Sequence, residues 1–331
     1  MKITISLVVI IFSNILIFSQ PSFPGAGTED EPYEIWTNEH FKELSDSIVN
    51  SNYPNYSEWN FDKSFKLMQD IDNIKCIRNG YFRANFDGNG KIISMALETD
   101  HDNPYFACVA SFYGTYSHKY LKKLTLNGYV NDDNISAFGG TTFYGLITHC
   151  VNNVPIIGTG KYPTYTYAAG IVYTNFGTIS HCINNGSVTG VDMVAGISVR
   201  SHQGGGKIFN CINTGKITAS TTEIKEWWNS SGAAGICVEA PGADLLENCN
   251  WINLGDVEGA SNVSGIASKF YGGGMFTRII SNCINVGYIK GKKNVGGIVG
   301  VTIDDPTITN CVNTGIIEGE EDVGNIVGGE R

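Results

Sequence analysis

One stretch constrains this chain more than any other. Ser281–Val299, SNCINVGYIKGKKNVGGIV, begins again 28 residues later as Thr309–Val327, TNCVNTGIIEGEEDVGNIV. The shared template is N-C-[IV]-N-x-G-x-I-x-G-x3-V-G-G-I-V, and looser copies run back to His149–Cys150. Such a repeat is one supersecondary unit that cannot bury its own inward side, so copies must stack. Alignment sets Cys150, Cys182, Cys211, Cys249, Cys283 and Cys311 in register, at spacings of 32, 29, 38, 34 and 28 residues. Two residues on comes Asn152, Asn184, Asn213, Asn285 or Asn313, with two extra residues before Asn253 in the Cys249 copy. Three residues before each Cys stands Ile147, Ile179, Ile208, Leu246, Ile280 or Ile308. A further aliphatic ladder is Ile171, Ile197, Ile236, Ile266, Ile298 and Ile326, each preceded by Gly except for Asn325 in the final copy. Gly and Asn both tolerate positive φ, so that exchange suggests a left-handed corner.

Each copy holds three short β-type runs, I-x-N-C, G-x-I-x-G and G-G-I-x, separated by Gly and Asn clusters. None is long enough for a stable helix. Three strands with corners per ~28 residues make one coil of a parallel β-helix. Coils stack roughly 4.8 Å apart, so like residues form ladders. The Ile and Cys ladders are expected to point inward, and the Asn ladder to hydrogen-bond along the stack. The gap before the G-G-I corner is six residues in four copies and widens only at Gly158–Gly170 and Ala219–Gly235. A second variable gap follows the third Ile. Length variation confined to two points marks surface loops.

Composition narrows the class. A net charge of −10 without a basic stripe argues against nucleic acid as a partner, since the nearest run, Lys290–Lys293, is interrupted. Met1–Ser19, with Lys2, an apolar run and a Ser19–Gln20 junction, reads as a secretory signal peptide, with no membrane insertion after its removal. Six of the nine cysteines lie on the ladder and are expected to be buried, reduced thiols, Cys182, Cys211, Cys283 and Cys311 among them. No C-x2-C pair exists, and ladder neighbours cannot surround an ion tetrahedrally, so no metal and no cofactor is expected.

The chain divides into a signal (1–19), a cap and loop (20–60) and a β-helix (61–331), irregular over 61–145 and repetitive over 146–331. In the cap, Thr37 or Asn38 starts a short helix with Phe41, Leu44 and Ile48 on one face. Asp87-Gly-Asn-Gly reads as a turn between two strands rather than a calcium loop, lacking the later acid. The order of these motifs resembles the GLUG-repeat proteins of bacterial surfaces, a group that includes the repeat region beside some immunoglobulin A peptidases. The stretches that carry it are Gly25–Leu44, Phe65–Asp72, Phe86–Ile93, Phe112–Val130 and His149 onward. The resemblance implies an all-β, right-handed parallel β-helix with a short N-terminal helical cap. It also implies a secreted or cell-surface, adhesin-like protein without catalytic residues to carry over.

The residues offer no catalytic constellation. Asp304-Asp305 and the acids Glu318, Glu320, Glu321 and Asp322 do not recur in neighbouring coils to build a paired-carboxylate groove. His149 and His181 share a slot with later asparagines, which marks a corner rather than a base. The candidate ligand contacts are Tyr162, Tyr165, Tyr167, Trp227 and Trp228, in the two widened gaps. The leading reading is a non-catalytic binder of an extracellular glycan or protein. A structural stalk and a polysaccharide-degrading enzyme are the alternatives. The last coil, with an open edge guarded by acids, is a point of self-association.

Overall fold

The computed structural model describes residues 22–49, 62–74, 81–82, 84–97, 111–112, 119–130, 136–142, 145–158, 167–201, 206–223, 231–240, 249–272 and 278–330. The expected signal peptide, Tyr162, Tyr165, Trp227, Trp228 and Leu246 lie outside them.

The chain is a parallel β-solenoid with one short helix. Its first sheet runs as a path of ten strands from Tyr33–Ile35 to Val312–Asn313. A second, of six strands, runs from Ile156–Ile157 to Ile317–Glu318, and a third, also of six, from Tyr167–Ala169 to Glu321–Gly324. The fourth has seven strands, from Gly139–Thr142 to Val327–Glu330. The expected three runs per coil resolve more finely. One full coil comprises Ile279–Ser281, Ile284–Asn285, Ile289–Lys290, Lys293–Gly296 and Val299–Ile303. The G-G-I run divides because its Ile is the inward residue of a corner, with a strand on either side. Ile280, Cys283, Ile289, Val295 and Ile298 are all fully buried. Each such aliphatic contributes about 1.5–3 kcal/mol by leaving water.

The Asn ladder is a continuous chain of side-chain amides. Asn152 Nδ2 donates to Asn184 Oδ1 at 2.8 Å, Asn184 to Asn213 at 2.8 Å and Asn213 to Asn253 at 2.8 Å. Asn253 then donates to Asn285, and Asn285 to Asn313, both at 2.7 Å. Each Nδ2 also donates to a carbonyl two residues ahead, as Asn213 does to Gly215 at 2.9 Å. Buried amides persist only when both ends are satisfied, and a periodic stack supplies the same partner at every level.

The G-G-I glycines have another cause than the left-handed corner expected of them, since positive φ is not their conformation. A Cβ at Gly235 would stand 2.4 Å from Asn253 Oδ1, and one at Gly196 2.5 Å from Asn213 Oδ1. The corner glycine thus makes room for the Asn of the following coil. Asn325 takes that position in the last coil, and its Oδ1 accepts from Asn313 Nδ2 at 2.9 Å. It supplies from within the coil the acceptor that a following Asn gives elsewhere.

The left-handed corner lies just before the Cys slot. His149, His181, Asn210, Asn282 and Asn310 have φ of 55°, 53°, 53°, 56° and 52°. This agrees with the shared slot expected for the two histidines, whose rings stack at 4.7 Å. Lys123 and Asn89, with φ of 54° and 53°, continue the series into the irregular coils. Asp87-Gly-Asn-Gly is therefore not the hairpin turn expected. It is a bulge inside the strand Asn85–Leu97, which pairs in parallel with Tyr120–Val130 on both sides, Phe86 with Leu121 and Lys91 with Leu124. Asp87 Oδ1 accepts from the Asn89 amide at 2.8 Å and fixes the bend.

The Cys249 copy also needs correction. Ile252 and Asn253 pair with Ile212 and Asn213, so Trp251 occupies the Cys slot and Asn250, with φ of 49°, the corner. No two-residue insertion exists there. The buried indole fits because its Nε1 donates to the Ile208 carbonyl at 2.9 Å, and Cys249 sits two residues earlier, also buried. The described cysteines are all free thiols, buried except for Cys311, which is half-buried rather than buried as expected. At the other end, the helix Asn38–Val49 starts at Thr37, whose Oγ1 accepts from the His40 amide at 3.2 Å. Phe41 and Leu44 are buried against the first coils.

Candidate binding face

The third and fourth sheets meet at the Gly-Ile corner, and their outer faces close on each other. Ala169, Met193 and Ala195 from one side and Val199 and Val238 from the other form a small apolar seam apart from the main core. Tyr167 and Tyr173 cover its edge, half-buried, with rings stacked at 5.5 Å and 14°. Tyr167 directly follows residues 159–166 of the first widened gap. Of the five aromatics expected to contact ligand, it alone is described; Tyr162, Tyr165, Trp227 and Trp228 lie outside the described residues.

Beside the tyrosine pair runs a charged row on the fourth sheet, in which strand pairing sets Thr174, Arg200, Glu239, Lys269 and Val301 in register. The Arg200 guanidinium lies 5.6 Å from the Tyr167 ring centre, within cation–π range. Its Nε stands 2.9 Å from Glu239 Oε2, an ion pair too bent for a hydrogen bond. Glu239 Oε1 faces Lys269 Nζ at 3.7 Å. Burial opposes the Arg200 charge, yet Glu239 and the two tyrosines outweigh it and raise the pKa. Tyr271, at the end of the Lys269 strand, is pushed up to about 12 by burial and by Glu239. The row carries two cations against one carboxylate on a protein of net charge −10. Sequence reasoning missed Arg200, Glu239 and Lys269. The available signal was that each stands three residues after a ladder Ile.

A second feature lies on the second sheet. An open hollow of about 380 Å³ is lined by Thr218, Ser220, Thr222, Glu258, Lys290 and Lys292, among others. Glu258 pairs with Lys216 at 3.0 Å, and Lys290 with Glu318 at 3.0 Å. Hydrogen bonds from Tyr288 and Lys290 lower the pKa of Glu318. Glu321 pairs with Lys293 at 2.8 Å. Each of these acids pairs with a lysine of the preceding coil. Asp304 and Asp305 form a left-handed turn, with φ of 59° and 49°. Among the described residues, no group of three His, Cys, Asp or Glu side chains could hold a metal ion. No described helix is long and apolar enough to cross a membrane.

Fold and site together define a repeat solenoid with a constant interior and a variable outer face. The family model of the GLUG motif matches residues 291–318, from the middle of one coil to the same point in the next. The chain is a β-helix carrying that motif. Among solved structures it is similar to a protein from Bacteroides ovatus named "putative immunoglobulin A1 protease", with 15% identity and a TM-score of 0.41. That likeness covers 93% of this chain and 86% of the other. Nothing about activity follows from a likeness so distant. No curated protein sequence matches the chain.

Proposed function

We propose that this protein is a non-catalytic, secreted or cell-surface binding module, adhesin-like, whose partner is an extracellular glycan or protein. The observation that carries this reading is the Tyr167–Tyr173–Arg200–Glu239 row, with the buried Lys269 holding Glu239 from behind. The interior ladders repeat one chemistry from coil to coil, whereas this outer row does not. It combines an aromatic platform with fixed charges on a rigid in-register frame. Ring stacking with flanking polar groups suits a sugar ring or an extended peptide. Backbone hydrogen bonds along the sheets preorganise the row, so binding orders little. On this reading Met1–Ser19 directs export, and the GLUG motif fits display outside the cell.

The test is an array of glycans, mucin and matrix proteins probed with the folded chain and with a Tyr173→Ala, Arg200→Ala double variant. The variant is expected to bind the wild-type ligand at least roughly tenfold more weakly, the loss of about one stacking and one charged contact. Equal binding by the two would move the site elsewhere. Absence of any ligand across the array would favour the structural stalk.

A further inference from the structure

The Cys ladder is interrupted by Trp251, which leaves a separate group of three thiols at the C-terminal end: Cys249, Cys283 and Cys311. The three thiols donate to backbone carbonyls, Cys283 to Ser281 at 3.3 Å and Cys311 to Thr309 at 3.2 Å. Strand pairing of Ile284 with Val312 sets Cys311 directly beside Cys283 on the next coil. Adjacent parallel strands lie roughly 4.8 Å apart, inside the Cα separation of about 4.4–6.8 Å that a disulfide spans. Cys150, Cys182 and Cys211 share this spacing but are 0% exposed, and each lies between two coils. Cys311 differs in being half-buried.

We propose that Cys311 and Cys283 are an oxidant-responsive pair, closing to a cross-coil disulfide that pins the Thr307–Glu330 coil to its neighbour. The oxidant is a small peroxide. The Cys311 thiolate attacks one peroxide oxygen, the O–O bond breaks, Cys311 sulfenic acid forms, and the departing hydroxide takes up the proton that Cys311 released on ionising to give water. Cys283 sulfur then attacks the Cys311 sulfur; the S–S bond forms, the S–O bond breaks, and the departing hydroxide takes the Cys283 proton to give a second water. Two thiols and one hydrogen peroxide thus become one disulfide and two waters. The neighbouring Cys283 thiol and the backbone groups around Cys311 lower the Cys311 pKa to about 7, against the opposing effect of burial. The attacking thiolate is therefore populated at neutral pH. Cys283, enclosed by burial, is pushed far upward and stays a thiol until its neighbour is oxidised. The pair gives the Thr307–Glu330 coil a covalent tie where oxidants are present.

The test uses the full chain, reduced, freed of reductant, exposed to hydrogen peroxide near neutral pH, then unfolded and alkylated for peptide mapping. The expected result is the loss of two alkylatable thiols and a linked peptide pair containing Cys283 and Cys311. In Cys311→Ser, Cys283 is expected to remain alkylatable. The proposal is overturned if Cys311 stays alkylatable, ends as sulfinic acid, or forms no bond to Cys283. A linked pair that excludes either residue also overturns it. Where the Ser variant folds poorly, the wild-type map decides alone.

Discussion

Asn213→Asp is expected to lower stability by about 3–5 kcal/mol, the cost of an unpaired charge in a buried network. Asn213 is 0% exposed, accepts from Asn184 Nδ2 at 2.8 Å, and donates to Asn253 Oδ1 and the Gly215 carbonyl. A carboxylate keeps the acceptor role and loses both donated bonds, so the oxygen that replaces Nδ2 confronts two acceptors with no proton between them. Space cannot relieve the conflict, because the Gly196 corner already closes on the amide. The control is Asn185→Asp, one coil earlier on the exposed outer ladder, where Asn185 Nδ2 donates to Asn153 Oδ1 at 2.7 Å. There water solvates the new charge, and the expected cost is below about 1 kcal/mol. Denaturant unfolding of both variants measures the difference. Equal losses would show that the inner amide chain is not a special source of stability.

Ile298→Asp is expected to cost more than about 3 kcal/mol and to unfold the coils around it. Ile298 is 0% exposed, with its carbonyl accepting from the Ile266 amide at 3.2 Å and its amide donating to the Ile326 carbonyl at 3.0 Å. The backbone is pinned in both directions, so the side chain cannot rotate to solvent without breaking ladder bonds. The substitution removes an aliphatic rung and inserts a carboxylate between Ile266 and Ile326. An unchanged melting temperature would mean that the residue faces water, and the assigned register would then be off by one.

The ladders were legible because a repeat states its own register. Wherever Ile, Cys and Asn recur at fixed offsets, as at Ile280, Cys283 and Asn285, the structure stacks them as read. Reading failed where one coil met the frame with different residues. Cys249 attracted the alignment because it is a cysteine near the right offset, while the true occupant, Trp251, shares no chemistry with that slot except apolarity. Lys123 concealed the left-handed corner of the irregular coils, since no propensity argument places a lysine there; the neighbouring strands impose it. The corner glycines were recognised for the wrong reason. Their constraint is the Asn of the next coil, a contact with no trace within a single copy. At the candidate face, Tyr167 was visible because it ends an aromatic insert. Arg200, Glu239 and Lys269 lie 39 and 30 residues apart, so only stacking makes them one row.

The most direct test of the account concerns both binding and the absence of catalysis. The folded chain is incubated with a panel of mucin, plant polysaccharides and matrix proteins, the bound material is recovered, and its size distribution is compared with the input. The account predicts that at least one ligand is retained and recovered at its original length, with no new reducing ends or peptide termini. Release of shorter chains or cleaved peptides, lost on substitution of a specific carboxylate or histidine, would contradict it.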